Sequence, residues 1–80
     1  MKTFIPNKFI VTCKYDALRE TVTTVDDYDY LDAAIEGFRW KCNYCGSFFK
    51  WVVTLTAIDT VNKVSMIINI ETYDMSSVLN

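Results

Sequence analysis

The sequence predicts a small α+β domain, a two-layer sandwich in the order β-β-α-β-β, with one helix packed on one face of an antiparallel sheet. Three observations carry that prediction. Residues 8–25 form two short runs of strand character joined by a connection of hairpin length. Residues about 27–45 repeat apolar side chains at spacings of three and four and stop at a glycine. Residues 48–73 alternate again, in two runs with a turn between them.

The first predicted strand covers residues 8–15. Phe9, Val11, Cys13 and Tyr15 share one face, and Lys8, Ile10, Thr12 and Lys14 the other. Asp16-Ala17-Leu18-Arg19 is the connection. Residues 20–25 are β-branched in five of six positions and read as the returning strand. Asp26-Asp27-Tyr28-Asp29 then offers an N-cap with acids in the first helical turn. Leu31, Ala34, Ile35, Phe38, Cys42 and Cys45 fall within about 100° of arc, one apolar helix face. Gly46 sits where a helix ends on a residue tolerant of positive φ. In the third strand Phe49, Trp51, Val53, Leu55 and Ala57 share a face. Asp59-Thr60-Val61-Asn62 is a turn. In the last strand Val64, Met66, Ile68 and Ile70 are predicted to face inward, with Ser65, Asn69 and Glu71 outward. Residues 1–80 are expected to form a single domain, with a loose tail over about 75–80.

Composition excludes several classes. Half of the 80 residues are apolar and 12 are aromatic, which rules out a disordered chain. A chain this short cannot hide all of that surface in one core, which points to a homodimer. The net charge of −2 excludes a globally basic nucleic-acid binder. No apolar run approaches the length of a membrane span, and the N-terminus lacks the pattern of a signal peptide. The odd count of three cysteines argues against a secreted disulfide scaffold and for the cytoplasm.

Cys42-Asn43-Tyr44-Cys45-Gly46 resembles half of a zinc ribbon. A closed structural zinc site needs four ligands. Cys13 is the only other cysteine and the chain has no histidine, so zinc through Cys42 and Cys45 would need a carboxylate or a second chain. The competing reading makes both cysteines small apolar residues on the core face of the helix, which accounts for their spacing and for Gly46 together. No metal is expected on that reading. A redox role is disfavoured, because a reactive Cys-x-x-Cys belongs at a helix N-terminus and this pair lies at the other end.

Catalysis has little to work with. Histidine, the commonest general base, is absent, and two glycines make no phosphate-cradling loop. The carboxylates Asp26, Asp27, Asp29, Asp32 and Glu36 read as a solvated helix start. No catalytic residue, cofactor or small-molecule substrate is expected.

Binding has more. Ala33, Gly37, Trp40 and Tyr44 form a second helical stripe, opposite the core stripe. An outward Trp beside Gly and Tyr has the composition of a protein or dimer interface, with Gly37 allowing close approach. Charge is also segregated. Residues 20–36 hold six acids and no Lys or Arg, whereas residues 37–58 hold Arg39, Lys41 and Lys50 and no acids. Those bases are interleaved with Trp40, Tyr44, Phe48, Phe49 and Trp51, a pattern that can stack and grip single-stranded RNA. The alternative is that acids first and bases last complement the helix dipole.

In size, acidity and order of elements the chain resembles the small accessory proteins of tailed bacterial viruses. The nearest pattern is the hairpin that runs into an acidic-capped helix over residues 8–45. The resemblance implies a host-defence antagonist: a cytoplasmic inhibitor that binds a host protein such as a toxin or a defence nuclease. The expectation is therefore a non-enzymatic binding protein acting through the helix stripe, with RNA binding through Arg39, Lys41 and Lys50 as the alternative and a structural zinc protein as the second.

Overall fold

The computed structural model describes residues 3–74. The tail predicted over 75–80 lies outside them. Strand β1 (Lys8–Asp16) and strand β2 (Thr21–Tyr28) form a hairpin. Helix α1 (Leu31–Cys45) follows, then a second hairpin of β3 (Lys50–Asp59) and β4 (Val64–Asp74). The order in the sheet is β2-β1-β3-β4, and every neighbouring pair is antiparallel. The predicted two-layer α+β architecture is thus observed.

The two central strands supply the alternation that the core needs. Phe9, Val11 and Cys13 of β1 and Val53, Leu55 and Ala57 of β3 are buried on one face, where they meet Ala34, Phe38 and Cys45 of α1. Tyr15, Tyr28, Ile35, Cys42, Phe48 and Trp51 pack around that cluster. Leu31, expected on the core face, is exposed. Strands β2 and β3 both run antiparallel to β1, so α1 links two parallel strands that lie on either side of it. That path lays the helix over β1, β2 and β3.

Two boundaries around the helix start and the conformation of its C-cap differ from the sequence prediction, while the helix ends at Cys45 as expected. The helix starts at Leu31 rather than 27, because Asp26, Asp27 and Tyr28 pair with Val11, Ile10 and Phe9 and extend β2. Tyr30 takes the cap position in extended geometry, with no side-chain cap bond. Asp32 is the one acid in the first turn and no base lies in the last, so the charge order along the chain is not a dipole device. Gly46 adopts φ −59°, ψ −21°, an ordinary right-handed conformation, and donates its N–H to the Asn43 carbonyl at 3.3 Å. The helix therefore ends without a left-handed residue.

The largest difference is in β4. Met66 opposes Ala57 and Val64 opposes Asp59, which keeps both on the helix side of the sheet, as expected. A bulge then inserts Ile68 between the partners of Leu55 and Thr56. Side chains alternate with period two, so one extra residue reverses every later position. Asn69 and Glu71 now oppose Leu55 and Val53 on the helix side, and Ile70 opposes Thr54 on the other face. Val64, Met66, Ile67, Ile68 and Ile70 are all 43–60% exposed, so the predicted inward row is not a core row. Strand β4 is the sheet edge and lies beyond the cover of α1.

The second hairpin is closed by a buried carboxylate. Asp59 accepts hydrogen bonds from the backbone N–H groups of Ile5, Val61 and Asn62 at 3.0, 3.1 and 3.0 Å, and from the Asn62 side-chain amide at 2.8 Å. The Asn62 and Ile5 amides, as donors to the charged form, hold its pKa down at about 2. Lys63 completes the turn in the left-handed region at φ 57°.

Candidate functional site

Helix residues four apart stand one above the other. On α1 the positions Asp32, Glu36, Trp40 and Tyr44 are all exposed, and they make one outward ridge. Trp40 is 61% and Tyr44 47% exposed. Their rings stack nearly parallel, with centroids 5.5 Å apart and planes 9° off. Tyr44 continues edge-on to Tyr15 of β1 at 5.9 Å, and Tyr15 stacks on Phe48 at 4.2 Å. Aromatic contacts of this kind add about 0.5–1.5 kcal/mol each beyond area burial. The outer pair is thereby held in place from the core outward.

The structure divides the predicted stripe. Trp40 and Tyr44 are on the outer ridge. Ala33 is half-buried. Gly37 faces β2 rather than solvent: the edge of the Tyr28 ring lies over it, and a Cβ at this position would stand 2.7 Å from Tyr28 Cζ and 3.1 Å from Cε2. The absence of a side chain at Gly37 thus serves a contact within the fold. Asp32 and Glu36 take the places on the ridge that the sequence reading gave to Ala33 and Gly37. The signal for them was a strict spacing of four back from Trp40.

The three basic residues proposed for RNA are not brought together. Lys41 is only 16% exposed in its side chain. It points to β2, where it donates to Thr24 at 3.2 Å and pairs with Asp26 at 3.4 Å, with its ammonium 5.4 Å from the centre of the Trp40 ring. Arg39 lines a groove on the opposite side of the helix, towards β4. Lys50 lies beside Lys14, Val52 and Thr72 and pairs with Asp74 at 3.9 Å. A phosphate-gripping surface needs such charges on one face.

The cysteines are redistributed as well. Cys42 and Cys45 do not converge on a shared ligand position: among the described residues no three Cys, Asp or Glu side chains gather as a metal site. Cys45 is buried and its sulfur lies 2.7 Å from that of Cys13. Burial, and then the neighbouring Cys13, push the Cys45 pKa up to about 12, the reverse of a reactive thiol. Cys42 is half-buried, and desolvation raises its pKa too.

One concavity was not foreseen. Because α1 stops short of β4, a groove of 590 Å³ runs between them, with Phe38 and Leu55 at its floor side and Arg39, Asn43, Asn69 and Glu71 among its polar lining. Its polar wall on the β4 side exists because the bulge turns Asn69 and Glu71 to this face. No helix among the described residues is long and apolar enough to cross a membrane. Comparison with known protein families, characterised proteins and solved structures gives no match to this chain.

Proposed function

We propose that this chain is a non-enzymatic protein-binding module, and that Trp40 and Tyr44 on the outer ridge of α1 are its contact residues. The observation that carries the reading is the stacked, half-exposed Trp40–Tyr44 pair, braced by Tyr15 and Phe48. Trp and Tyr dominate binding hot spots, and rings already fixed lose little further freedom on binding. Asp32 and Glu36 continue the ridge, so the surface beside the rings is acidic. The partner that fits is a protein with an apolar hollow rimmed by Lys and Arg.

In its narrower form the partner is a host protein such as a toxin or a defence nuclease, and the chain is its viral inhibitor in the host cytoplasm. A nuclease carries basic surface for its own substrate, which suits the acidic flank. Two groups with strongly displaced pKa values, Asp59 in a turn and Cys45 in the core, serve structure rather than chemistry, which favours binding over catalysis.

The test uses tagged chain expressed in its native cell, with recovery of bound material before and after nuclease. The expected result is a protein, retained after nuclease, whose binding falls about 30-fold or more in Trp40→Ala, as for a hot-spot loss of about 2 kcal/mol. Trp40→Ala should keep the far-ultraviolet spectrum, since the ring is mostly exposed. Equal binding by both chains, or binding abolished by nuclease, overturns the reading.

A further inference from the structure

The thiols of Cys13 and Cys45 come from the middle of β1 and the last residue of α1, and neither side chain has solvent exposure. Their sulfurs are 2.7 Å apart, against about 2.05 Å in a disulfide. Apolar packing alone gives no reason for two sulfurs to approach so closely. The local Cys-x-x-Cys spacing draws attention to Cys42 and Cys45, but the fold sets Cys45 against Cys13 and turns Cys42 towards the groove beside β4.

We propose that Cys13 and Cys45 close to a disulfide under oxidising conditions, fastening the C-terminal end of α1 to the centre of the sheet, with Cys42 left as the free thiol. The inference stands apart from the binding function proposed above. With oxidised glutathione as the oxidant, the Cys45 thiolate attacks one glutathione sulfur and breaks the glutathione disulfide. The first glutathione leaves as a thiolate and takes up the proton that Cys45 released. The Cys13 thiolate then attacks the Cys45 sulfur, breaks the mixed disulfide, and the second glutathione leaves with the proton from Cys13. Two electrons pass from the protein to glutathione, and the protein loses two hydrogens.

Burial and the high pKa of Cys45 make this slow in the closed fold. The bond forms during folding, or when the turn after Cys45 opens. In a reducing compartment the pair stays as two thiols in contact. The staple suits a chain of 80 residues, whose core is small. The bridged residues are 32 apart, and closing a loop of that length lowers the unfolding equilibrium constant roughly 500-fold in the chain-entropy account.

The experiment unfolds and refolds the full chain with oxidised glutathione, alkylates it while denatured, and measures intact mass and tryptic fragments. Trypsin places Cys13 in fragment 9–14, and Cys42 with Cys45 in fragment 42–50, so the Cys42→Ser chain is run beside the natural one. The expected result is one alkylated thiol in the natural chain, none in Cys42→Ser, and fragment 9–14 linked to fragment 42–50 in both. The melting temperature of Cys42→Ser should rise by roughly 15–30 °C on oxidation and fall back with reductant. Free Cys13 after oxidation in either chain, as a Cys42–Cys45 bond would leave it in the natural one, a Cys42→Ser chain whose fragments 9–14 and 42–50 stay unlinked, or an unchanged melting temperature overturns the proposal. Because Cys42→Ser keeps both bridge residues, a failure to bridge there is not a failure to fold.

Discussion

Gly37→Ala separates two reasons for a glycine in mid-helix. On an exposed helix face the substitution gains about 1 kcal/mol from helix propensity alone. Here the new methyl would meet Tyr28 through its hydroxyl, Cζ and Cε2 together. A rigid ring met along an edge cannot bend its tip aside; the whole side chain must lift away from the core cluster it packs against. Overpacking of this kind costs about 1–3 kcal/mol, so the net change should be a destabilisation of about 1 kcal/mol. In a Tyr28→Ala background the obstacle is gone, and the same Gly37→Ala should stabilise by about 1 kcal/mol. The coupling between the sites is then about 2 kcal/mol, within the range for touching residues. Urea unfolding of the four chains, followed by helix signal and tryptophan fluorescence, reads the cycle as midpoint shifts. Equal stabilisation by Gly37→Ala in both backgrounds would refute the contact and return Gly37 to the list of surface residues kept for a partner.

Gly46→Ala should behave in the opposite way. The backbone there is right-handed, and an added Cβ would meet only the Asn43 and Cys42 carbonyl oxygens at 3.4 and 3.6 Å; a change between neutral and about 1 kcal/mol of stabilisation is expected in the same urea assay. Asp59 predicts an acid transition. Its pKa is held at about 2, below the ordinary carboxylate value of about 3.9, so its charged form stabilises the fold above that ordinary value, and the stabilisation is lost as pH falls from about 4 to about 2. Urea midpoints measured across that window should fall steeply for the natural chain and be flatter in Asp59→Asn, which cannot titrate there.

The fold was legible where one face of an element is buried. Strands β1 and β3 are covered by α1, so Phe9, Val11, Cys13, Val53, Leu55 and Ala57 alternate without a break and the sequence period is the structural one. The helix was legible for the same reason, through Ala34, Phe38 and Cys45. Its start was not, because Asp26, Asp27 and Tyr28 have a local preference for a cap but a longer-range partner in β1. Pairing across a hairpin overrode the cap signal. On the helix, the stripe arithmetic placed Trp40, Tyr44 and Gly37 together on an outward face; Trp40 and Tyr44 are exposed, whereas Gly37 lies against Tyr28, since helix angle alone cannot distinguish a face turned to solvent from one turned to β2.

Strand β4 shows why an apolar pattern is weaker evidence at a sheet edge. Val64, Met66, Ile68 and Ile70 keep perfect alternation in sequence, yet no single face collects them. Register is strongly specified only where slipping would expose a buried row. Among the described residues no helix lies over β4, so the slip at Ile68 exposes nothing that was covered. It also does something useful at an open edge. A flat apolar strand with free backbone groups invites pairing with other chains, and a bulge that twists and splits it is a known defence. The bulge sends Val64 and Met66 to one face and Ile67 and Ile70 to the other, so neither face presents the full apolar row. The same extra residue brings Asn69 and Glu71 into the groove beside α1. One inserted position thus accounts for the failed prediction, for the guarded edge, and for the β4 wall of the groove against the helix.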